Sequence, residues 1–398
     1  MKNLEMTTFN DALNIGLEAV PLIKNTEYLM LDNALSRVLA EDIICIKNLP
    51  SFDNSALDGF AFRHEDTGKK LNIVATIFAG DKPISMLKKQ ECYRVMTGAQ
   101  LPSDVDTVVA IEDCLDLNES SVAVPQSIKR ANAFRKKGEE QRSGSVLMKR
   151  GEVLGFSRIA MLSAQGIVGI KVYAKLKIAV LSTGNEIREP WQEADEDEIY
   201  NANAFGITAL LREHGFSPVY AGSIPDDLSA TVAIIERLKS YDVVITTGGI
   251  SMGDADFLEE AYVASGIKIL FHGVNVKPGH PTMMGQMGDT FVMAMPGNPM
   301  TTLLNIFLLS VPILRKYQGQ TSPKHQSIRA TISQTLKLKA SRSNLVLGRV
   351  EEGIFYVTRN NKIGSGMLTP LMESNAVAIF DEGIAKVAEG ETIKAILF

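Results

Sequence analysis

The chain has 398 residues, 45% hydrophobic and 22% charged, with 31 glycines and 15 prolines, a composition that excludes wholesale disorder, collagen and coiled coil. At roughly 100 to 200 residues per domain the length predicts two to four domains, each large enough to bury a core. The formal net charge of −5, from 41 Lys+Arg against 46 Asp+Glu, leaves no footprint for broad binding to nucleic acid or to an anionic membrane, so an anionic ligand must be held locally.

Phe9, Leu13, Leu17 and Val20 recur at helical spacing, with Thr8 or Asn10 as caps and Pro21 near the end, and a second helical segment is predicted over Asn33 to Ala40. From about Ile43 to Val124, short apolar runs such as Asn72 to Phe78 and Thr107 to Ile111, broken by Gly, Pro and Asp, predict a separate, mostly β module. Lys177 to about Lys316 alternates apolar strands with amphipathic helices. Ile178 to Leu181 runs into Ser182-Thr183-Gly184, a helix is predicted over Asn203 to His214, Val219 to Ile224 is a strand, and Leu228, Val232, Ile235 and Leu238 form a helix face. Asp242 to Ile245 then runs into Thr246-Thr247-Gly248-Gly249, and Thr290 to Met295 into Pro296-Gly297-Asn298-Pro299. That alternation predicts a mainly parallel sheet between helices, with ligands bound beyond the carboxyl ends of its strands. After about Thr321 short strand-like runs return, so a small β domain closes an α/β plus β, multidomain chain.

Three cysteines, Cys45, Cys92 and Cys114, stand far apart with no C-x-x-C pair, and read as free thiols in a reducing compartment. The first residues lack a secretory apolar stretch, and Leu303 to Leu314 is interrupted by Asn305, Ser310 and Pro312, so a cytoplasmic protein with no membrane span is expected.

The strongest chemical cluster is Thr246 to Asp256. Gly248, Gly249 and Gly253 let backbone N–H groups approach an anion, while hydroxyls, Asp254 and Asp256 offer hard oxygens, which suits a phosphate-plus-magnesium site; a tight turn whose acids cap the next helix is the plainer alternative. Gly249-Ile250-Ser251-Met252-Gly253 also matches the G-x-S-x-G nucleophile elbow, with His272 and His280 downstream. Lys277-Pro278-Gly279-His280-Pro281 and Pro296-Gly297-Asn298-Pro299 are rigid turns, and Lys277 could pair with a phosphate. Pro50 to Ala61 is dense in Asp, Asn and Ser, as either a polar cleft wall or an Asx-type turn at Asp53 and Asn54. Phe134 to Glu140 is a solvated charge run or an anion site. No P-loop, G-x-G-x-x-G or H-E-x-x-H occurs, and scattered His and Cys leave carboxylates as metal ligands, favouring Mg²⁺ over Zn²⁺.

Taken in order, Pro50 to Ala61, Met96-Thr97-Gly98-Ala99, Leu181 to Glu186, Thr247 to Asp256 and Pro296 to Pro299 closely resemble the MoeA family of molybdopterin molybdenumtransferases, relatives of the gephyrin E domain, and Gly364 to Leu368 fits that family's C-terminal domain. The resemblance implies a homodimer of four-domain subunits. It places a molybdopterin-binding α/β domain at 1–22 and 174–320, a linker or dimerisation domain at 23–45 and 145–173, a β-rich domain at 46–144 and a C-terminal β domain at 321–398. It implies Mg²⁺-dependent insertion of molybdate into adenylylated molybdopterin with release of AMP, and a molybdopterin adenylyltransferase as the upstream partner. Carried over motif by motif, it assigns catalysis to Asp58, Glu186, Asp226 and Asp256. Metal contact falls to Asp226, Asp256 and Glu186, and substrate contact to Thr97, Thr183, Gly184, Gly248, Gly249, Ser251, Gly253, Lys277, Pro296 and Gly297. Asp58 is expected to reach in from the β module across the dimer. The chain departs from the pattern at Gly273 and His280, where relatives carry basic residues, at Glu140 in place of Asp, and at Leu347 in place of Arg. A noncatalytic molybdopterin-binding or scaffolding paralogue is the alternative.

Overall fold

The computed structural model describes residues 6–82, 86–225, 227–250 and 257–398. The chain divides into two compact units, one built from the described residues of Met1–Ala40, Gly151–Gly155 and Gly169–Phe398, the other from those of Glu41–Arg150 and Phe156–Val168.

In the first unit, helix α1 (Phe9–Ala19) begins where the Thr8 hydroxyl oxygen accepts from the Asp11 N–H and buries Phe9, Ala12 and Gly16. The sheet it serves holds strands β1 (Ile178–Thr183), β2 (Pro218–Ile224), β3 (Val243–Thr247), β4 (Lys268–His272), β5 (Met283–Met287) and β6 (Thr290–Met295) in the order β2-β1-β3-β6-β5-β4. The first four in that order are parallel; β5 runs antiparallel to β6, and β4 antiparallel to β5. Every residue of β1, β3 and β6 is buried, as continuous apolar runs covered on both faces require. The helices are α2 (Ala202–Glu213), α3 (Leu228–Leu238), α4 (Phe257–Ala264), α5 (Pro299–Asn305) and α6 (Val311–Tyr317), the last two joined by a π-helical turn at Ile306–Ser310. Two apolar layers result, one gathering Phe9, Val180, Ile207, Ile245, Met293 and Leu304, the other Leu181, Ile235, Val244, Tyr262 and Val292.

The remaining C-terminal strands, β7 (Ile328–Ile332), β8 (Ser343–Glu351), β9 (Ile354–Val357), β10 (Ala376–Phe380) and β11 (Thr392–Leu397), close into a ring because β8 pairs with both β9 and β10. The short strand Val276–Lys277 joins β8 in parallel, which ties Lys277 to this ring. In the second unit, a five-stranded sheet has the order 107–110, 59–62, 91–95, 70–77, 121–123. No helix among the described residues is long and apolar enough to cross a membrane.

The helix expected over Asn33 to Ala40 is absent. Only a 3₁₀ turn forms at Leu31–Asn33, Ser36 takes φ 63°, and Val38 and Leu39 bridge Val153 and Val172 in extended form. Those two residues are buried, and strand pairing satisfies their backbone groups where a helix could not, so tertiary context overrides the local pattern.

Beside the π turn, Phe307 lies between His214, whose ring centroid is 5.6 Å away, and His325, at 4.1 Å. Burial, reinforced by the nearby Arg315 guanidinium, pushes both imidazoles down to about 4, from an ordinary value of 6.5. Above pH 6.5 both groups are neutral folded or unfolded. As pH falls from 6.5 toward 4 the unfolded chain takes up protons that the folded one excludes, so stability is lost across that window. We expect the difference in thermal midpoint between pH 7.5 and pH 5 to shrink in a His214→Phe/His325→Leu variant. An unchanged difference would clear these histidines.

Candidate functional site

Strands β1 and β3 end in threonine, β1, β3 and β6 run on into Gly184, Gly248-Gly249 and Pro296-Gly297, and a cavity of about 530 Å³ opens beyond them. Thr183, Gly184, Glu186, Asn203, Thr247, Gly248, Gly249, Pro296 and Gly297 all line it. The two glycines after β3 are fixed by their surroundings. Gly248 has φ +89° and a Cβ there would fall 2.7 Å from the Thr183 carbonyl oxygen and hydroxyl; Gly249 has φ +60° and its Cβ would fall 2.8 Å from the same hydroxyl. Only glycine fits that backbone without strain. Gly184 has φ +133°, and the Glu186 carboxylate stands over it, 2.7 Å from where a Cβ would lie.

Asn203, in the first turn of α2, holds the strand ends together. Its Nδ2 donates to the Thr247 hydroxyl at 2.8 Å and to the Gly297 carbonyl at 2.7 Å, and the Thr247 hydroxyl donates to the Pro296 carbonyl at 3.0 Å. The Asn203 Oδ1 is buried without a partner, an acceptor left over inside the wall. The N-terminal end of α2, capped by Asn201, therefore faces the cavity with its positive dipole end.

A second cavity, about 380 Å³, abuts the first and shares Pro281, Pro296 and Asn298 with it. Lys277, Lys337, Lys339 and Arg342 line it, with His280 and Ser365, and no described carboxylate does. None of the four cations forms an ion pair among the described residues. The Lys277 loop is pinned by Asn305 at the end of α5, whose Nδ2 donates to the Gly279 carbonyl at 3.0 Å and to the Thr282 hydroxyl at 2.7 Å. The Lys339–Arg342 turn is pinned by Asn344, whose Nδ2 donates to the carbonyls of Lys339 and Arg342 at 3.1 and 2.8 Å. From the α/β domain, Asn298 Nδ2 reaches the Ser365 hydroxyl at 2.9 Å.

In the second unit, Asp58 and Thr97 form a pair. The Asp58 carboxylate accepts from the Thr97 N–H at 2.7 Å and from its hydroxyl at 2.8 Å, and these two bonds hold the acid below the usual carboxylate range. Along the same stretch Asp53 accepts from the Lys137 N–H and Asn54 donates to the Phe52 carbonyl, so the polar density there is partly turn chemistry. Glu139 and Glu140 both face Arg135, at 3.0 and 3.8 Å, as an exposed charge run does.

Of the residues picked out from the sequence, Thr183, Gly184, Glu186, Gly248, Gly249, Pro296 and Gly297 thus meet in one cavity, Lys277 lines the adjoining one, and Asp58 and Thr97 meet in the other unit. Asp226, Ser251, Gly253 and Asp256 lie outside the described residues, in the connections from β2 to α3 and from β3 to α4. Among the described residues no group of three or more His, Cys, Asp or Glu side chains could hold a metal ion. His272 sits 3.2 Å from the Glu259 carboxylate, and His280 donates to the Val274 carbonyl at 3.0 Å. The departures at Gly273 and His280 are one arrangement, since a Cβ at 273 would meet the His280 ring at 3.4 Å. Leu347 is buried in the ring sheet opposite Val377, within the core. Sequence reasoning missed Lys337, Lys339 and Arg342, although Leu336-Lys337-Leu338-Lys339 carries the two-residue alternation that puts cations on one face.

Comparison with known proteins agrees along the whole length. Residues 7–166 match the MoeA N-terminal region (domain I and II), 179–316 a probable molybdopterin binding domain, and 329–398 the MoeA C-terminal region (domain IV). The chain is 32% identical to a molybdopterin molybdenumtransferase of Haemophilus influenzae over 98% of both chains. It is 30% identical to one of Bacillus subtilis over 94% of this chain and 90% of that one. The solved molybdopterin biosynthesis moeA protein of Pyrococcus horikoshii OT3 superposes with a TM-score of 0.86 at 27% identity, covering 99% of this chain and 100% of that one. With the strand-end cavity, the Lys277 loop and the ring domain each in a matched region, the chain belongs to the MoeA family of molybdopterin molybdenumtransferases.

Proposed function

We propose that this member of a molybdenum cofactor biosynthesis family inserts molybdate into the dithiolene of adenylylated molybdopterin, with Mg²⁺-dependent cleavage of the adenylate and release of AMP. The observation that carries the proposal is the abutment of two unlike cavities. One is lined by glycine backbone and a helix N-terminus, the other by four cations, across a wall of Pro281, Pro296 and Asn298. The backbone at Gly184, Gly248 and Gly249 and the α2 N-terminus suit the phosphates of the pterin nucleotide. Lys277 and Arg342 suit a tetrahedral dianion such as molybdate, with Lys337 and Lys339 adding longer-range charge. Molybdenum needs no soft protein ligand because the pterin supplies sulfur.

The donors at the first cavity fit a hard cation. The Glu186 carboxylate and the unpartnered Asn203 Oδ1 are oxygens of the kind Mg²⁺ takes, and we assign Asp226 and Asp256 to the same ion. When bound, the ion would neutralise charge on the phosphates being separated. Glu186 would hold its place in that set through the backbone turn at Gly184, while Asn203 keeps the strand ends from spreading. Ser251 and Gly253 are assigned to substrate contact, and Asp58, oriented by Thr97, to the same reaction. The proposed working form is a cytoplasmic homodimer of four-domain subunits, supplied by a molybdopterin adenylyltransferase.

Purified protein given adenylylated molybdopterin, Mg²⁺ and molybdate should release AMP in step with active cofactor, and a chelator should stop both. The buried Leu347, where relatives carry Arg, favours the alternative of a noncatalytic molybdopterin-binding or scaffolding protein. That alternative is met if the pterin nucleotide binds and no AMP appears.

A further inference from the structure

The segment from Gly184 to Asn201 brings Glu186 to the first cavity, and its root is tied to the sheet through a phenol and an amide that share their partners, since Asn201 Nδ2 also reaches the Glu189 carboxylate at 3.3 Å. Tyr220, on β2, donates its hydroxyl to the Glu189 carboxylate, lies 3.1 Å from the Ser182 hydroxyl on β1, and accepts from Asn201 Nδ2 at 2.9 Å. Asn201 completes the knot. Its Nδ2 also reaches the Ser182 hydroxyl at 3.0 Å, its Oδ1 accepts from the Ala204 N–H at 3.1 Å to cap α2, and its own N–H donates to the Arg188 carbonyl at 2.8 Å. Farther out, Ile187 and Arg188 pair with Ile199 and Tyr200, an Arg188–Glu198 ion pair closes the same stem, and the Ile199 N–H donates to the Glu186 carbonyl at 2.9 Å. Both arms of the segment, and therefore the backbone carrying Glu186, are referred to the sheet through Tyr220, Asn201 and Glu189.

A polar knot is a costly way to pack the flank of a sheet. Ser182 and Asn201 are buried, and a buried network stabilises only when its members find one another in a single geometry. What such a network supplies beyond packing is that geometry. Burial and the bond to Glu189 push the Tyr220 phenol up to about 12, so it remains a donor across the whole working pH range.

We propose that Tyr220 is a positioning residue which, through Glu189 and Asn201, fixes where the Glu186 carboxylate stands over the first cavity. The inference rests on Glu186 belonging to the reacting site as proposed above. A second property of the segment makes it testable on its own. Trp191, the one tryptophan of the chain, is on this segment, 71% exposed, and stands edge-on to Phe205 at 6.0 Å; Phe205 in turn packs against Tyr220 at 5.7 Å. Intrinsic tryptophan fluorescence therefore reports this segment alone.

The test compares wild type, Tyr220→Phe, Glu186→Gln and the double variant. Tyr220→Phe keeps the ring and removes the hydroxyl. It should lower kcat for cofactor formation about tenfold while moving KM for adenylylated molybdopterin by less than about twofold, since misplacing one reacting group by a fraction of an ångström costs turnover more than binding. Glu186→Gln should cost about a hundredfold, and adding Tyr220→Phe to it should cost nothing further, because a residue acting through Glu186 has nothing left to position. In the free protein, acrylamide quenching of Trp191 should change by about twofold in Tyr220→Phe, on the fluctuations a loosened stem permits. Glu189→Gln, which still offers the phenol an acceptor, should stay within about threefold of wild type, and Glu189→Ala should repeat Tyr220→Phe; this pair decides the matter if Tyr220→Phe fails to fold. Unchanged quenching, or losses that multiply in the double variant, overturns the inference. If wild type forms no cofactor, the proposed reaction falls, and the Trp191 readout alone decides whether Tyr220 sets the segment's geometry.

Discussion

Gly248→Ala is expected to cut cofactor formation by about a hundredfold or more, through loss of fit at the backbone proposed to take the phosphates. The methyl group would fall 2.7 Å from both the carbonyl oxygen and the hydroxyl of Thr183, and the backbone would have to hold φ +89° with a side chain attached. Strain at such a residue costs about 1–3 kcal/mol, and relief requires β1 and β3 to part at their carboxyl ends, where Gly184, Gly248 and Gly249 line the cavity. Stability and activity should fall together. Gly222→Ala is the matched control: Gly222 has φ +101° on β2, yet nothing lies within 4 Å of its would-be Cβ. That variant should lose thermal midpoint and keep turnover. Full activity in Gly248→Ala, measured beside the unfolding transition of both variants, would remove this backbone from the site.

The strand-end cavity could be read from the sequence because its parts are local. Ile178 to Leu181, Asp242 to Ile245 and Thr290 to Met295 are apolar runs that only a doubly covered parallel sheet buries, and each stops at a polar or glycine cluster, so the clusters had to converge at one edge. Asp58 and Thr97 were each singled out through family resemblance, but their pairing was not legible, since they stand 39 positions apart in sequence. The basic cavity was illegible for a physical reason. Lys277 pairs through its strand with β8, and it is this pairing that brings Lys337, Lys339 and Arg342 of the ring domain to the same wall; no spacing within either segment encodes it. The failed helix at Asn33 to Ala40 has the converse cause. Its propensities are helical, but Val38 and Leu39 gain more from pairing with Val153 and Val172, more than a hundred residues away in sequence.

Removing charge from the basic cavity should act on one substrate only. A hydrogen bond from a cationic side chain to a dianion contributes about 1.5–3 kcal/mol, so Lys277→Met and Arg342→Met should each raise the molybdate concentration needed for half-maximal rate by about 10- to 100-fold. With molybdate saturating, kcat should recover to within about threefold, because the lost interaction holds the oxyanion before and during the reaction alike. Lys337→Met and Lys339→Met should cost only about two- to threefold, since both side chains are exposed and screened by salt; Lys277 is exposed as well but sits on the loop that Asn305 pins, and Arg342 is half-buried beside the turn that Asn344 fixes. Raising ionic strength should therefore weaken molybdate dependence in wild type more than in the Lys337 and Lys339 variants. Steady-state titrations of molybdate at fixed pterin nucleotide, and of the nucleotide at fixed molybdate, separate the two cavities. If Lys277→Met instead raises KM for the nucleotide and leaves molybdate dependence untouched, the four cations hold the nucleotide phosphates and the oxyanion must enter from the glycine side.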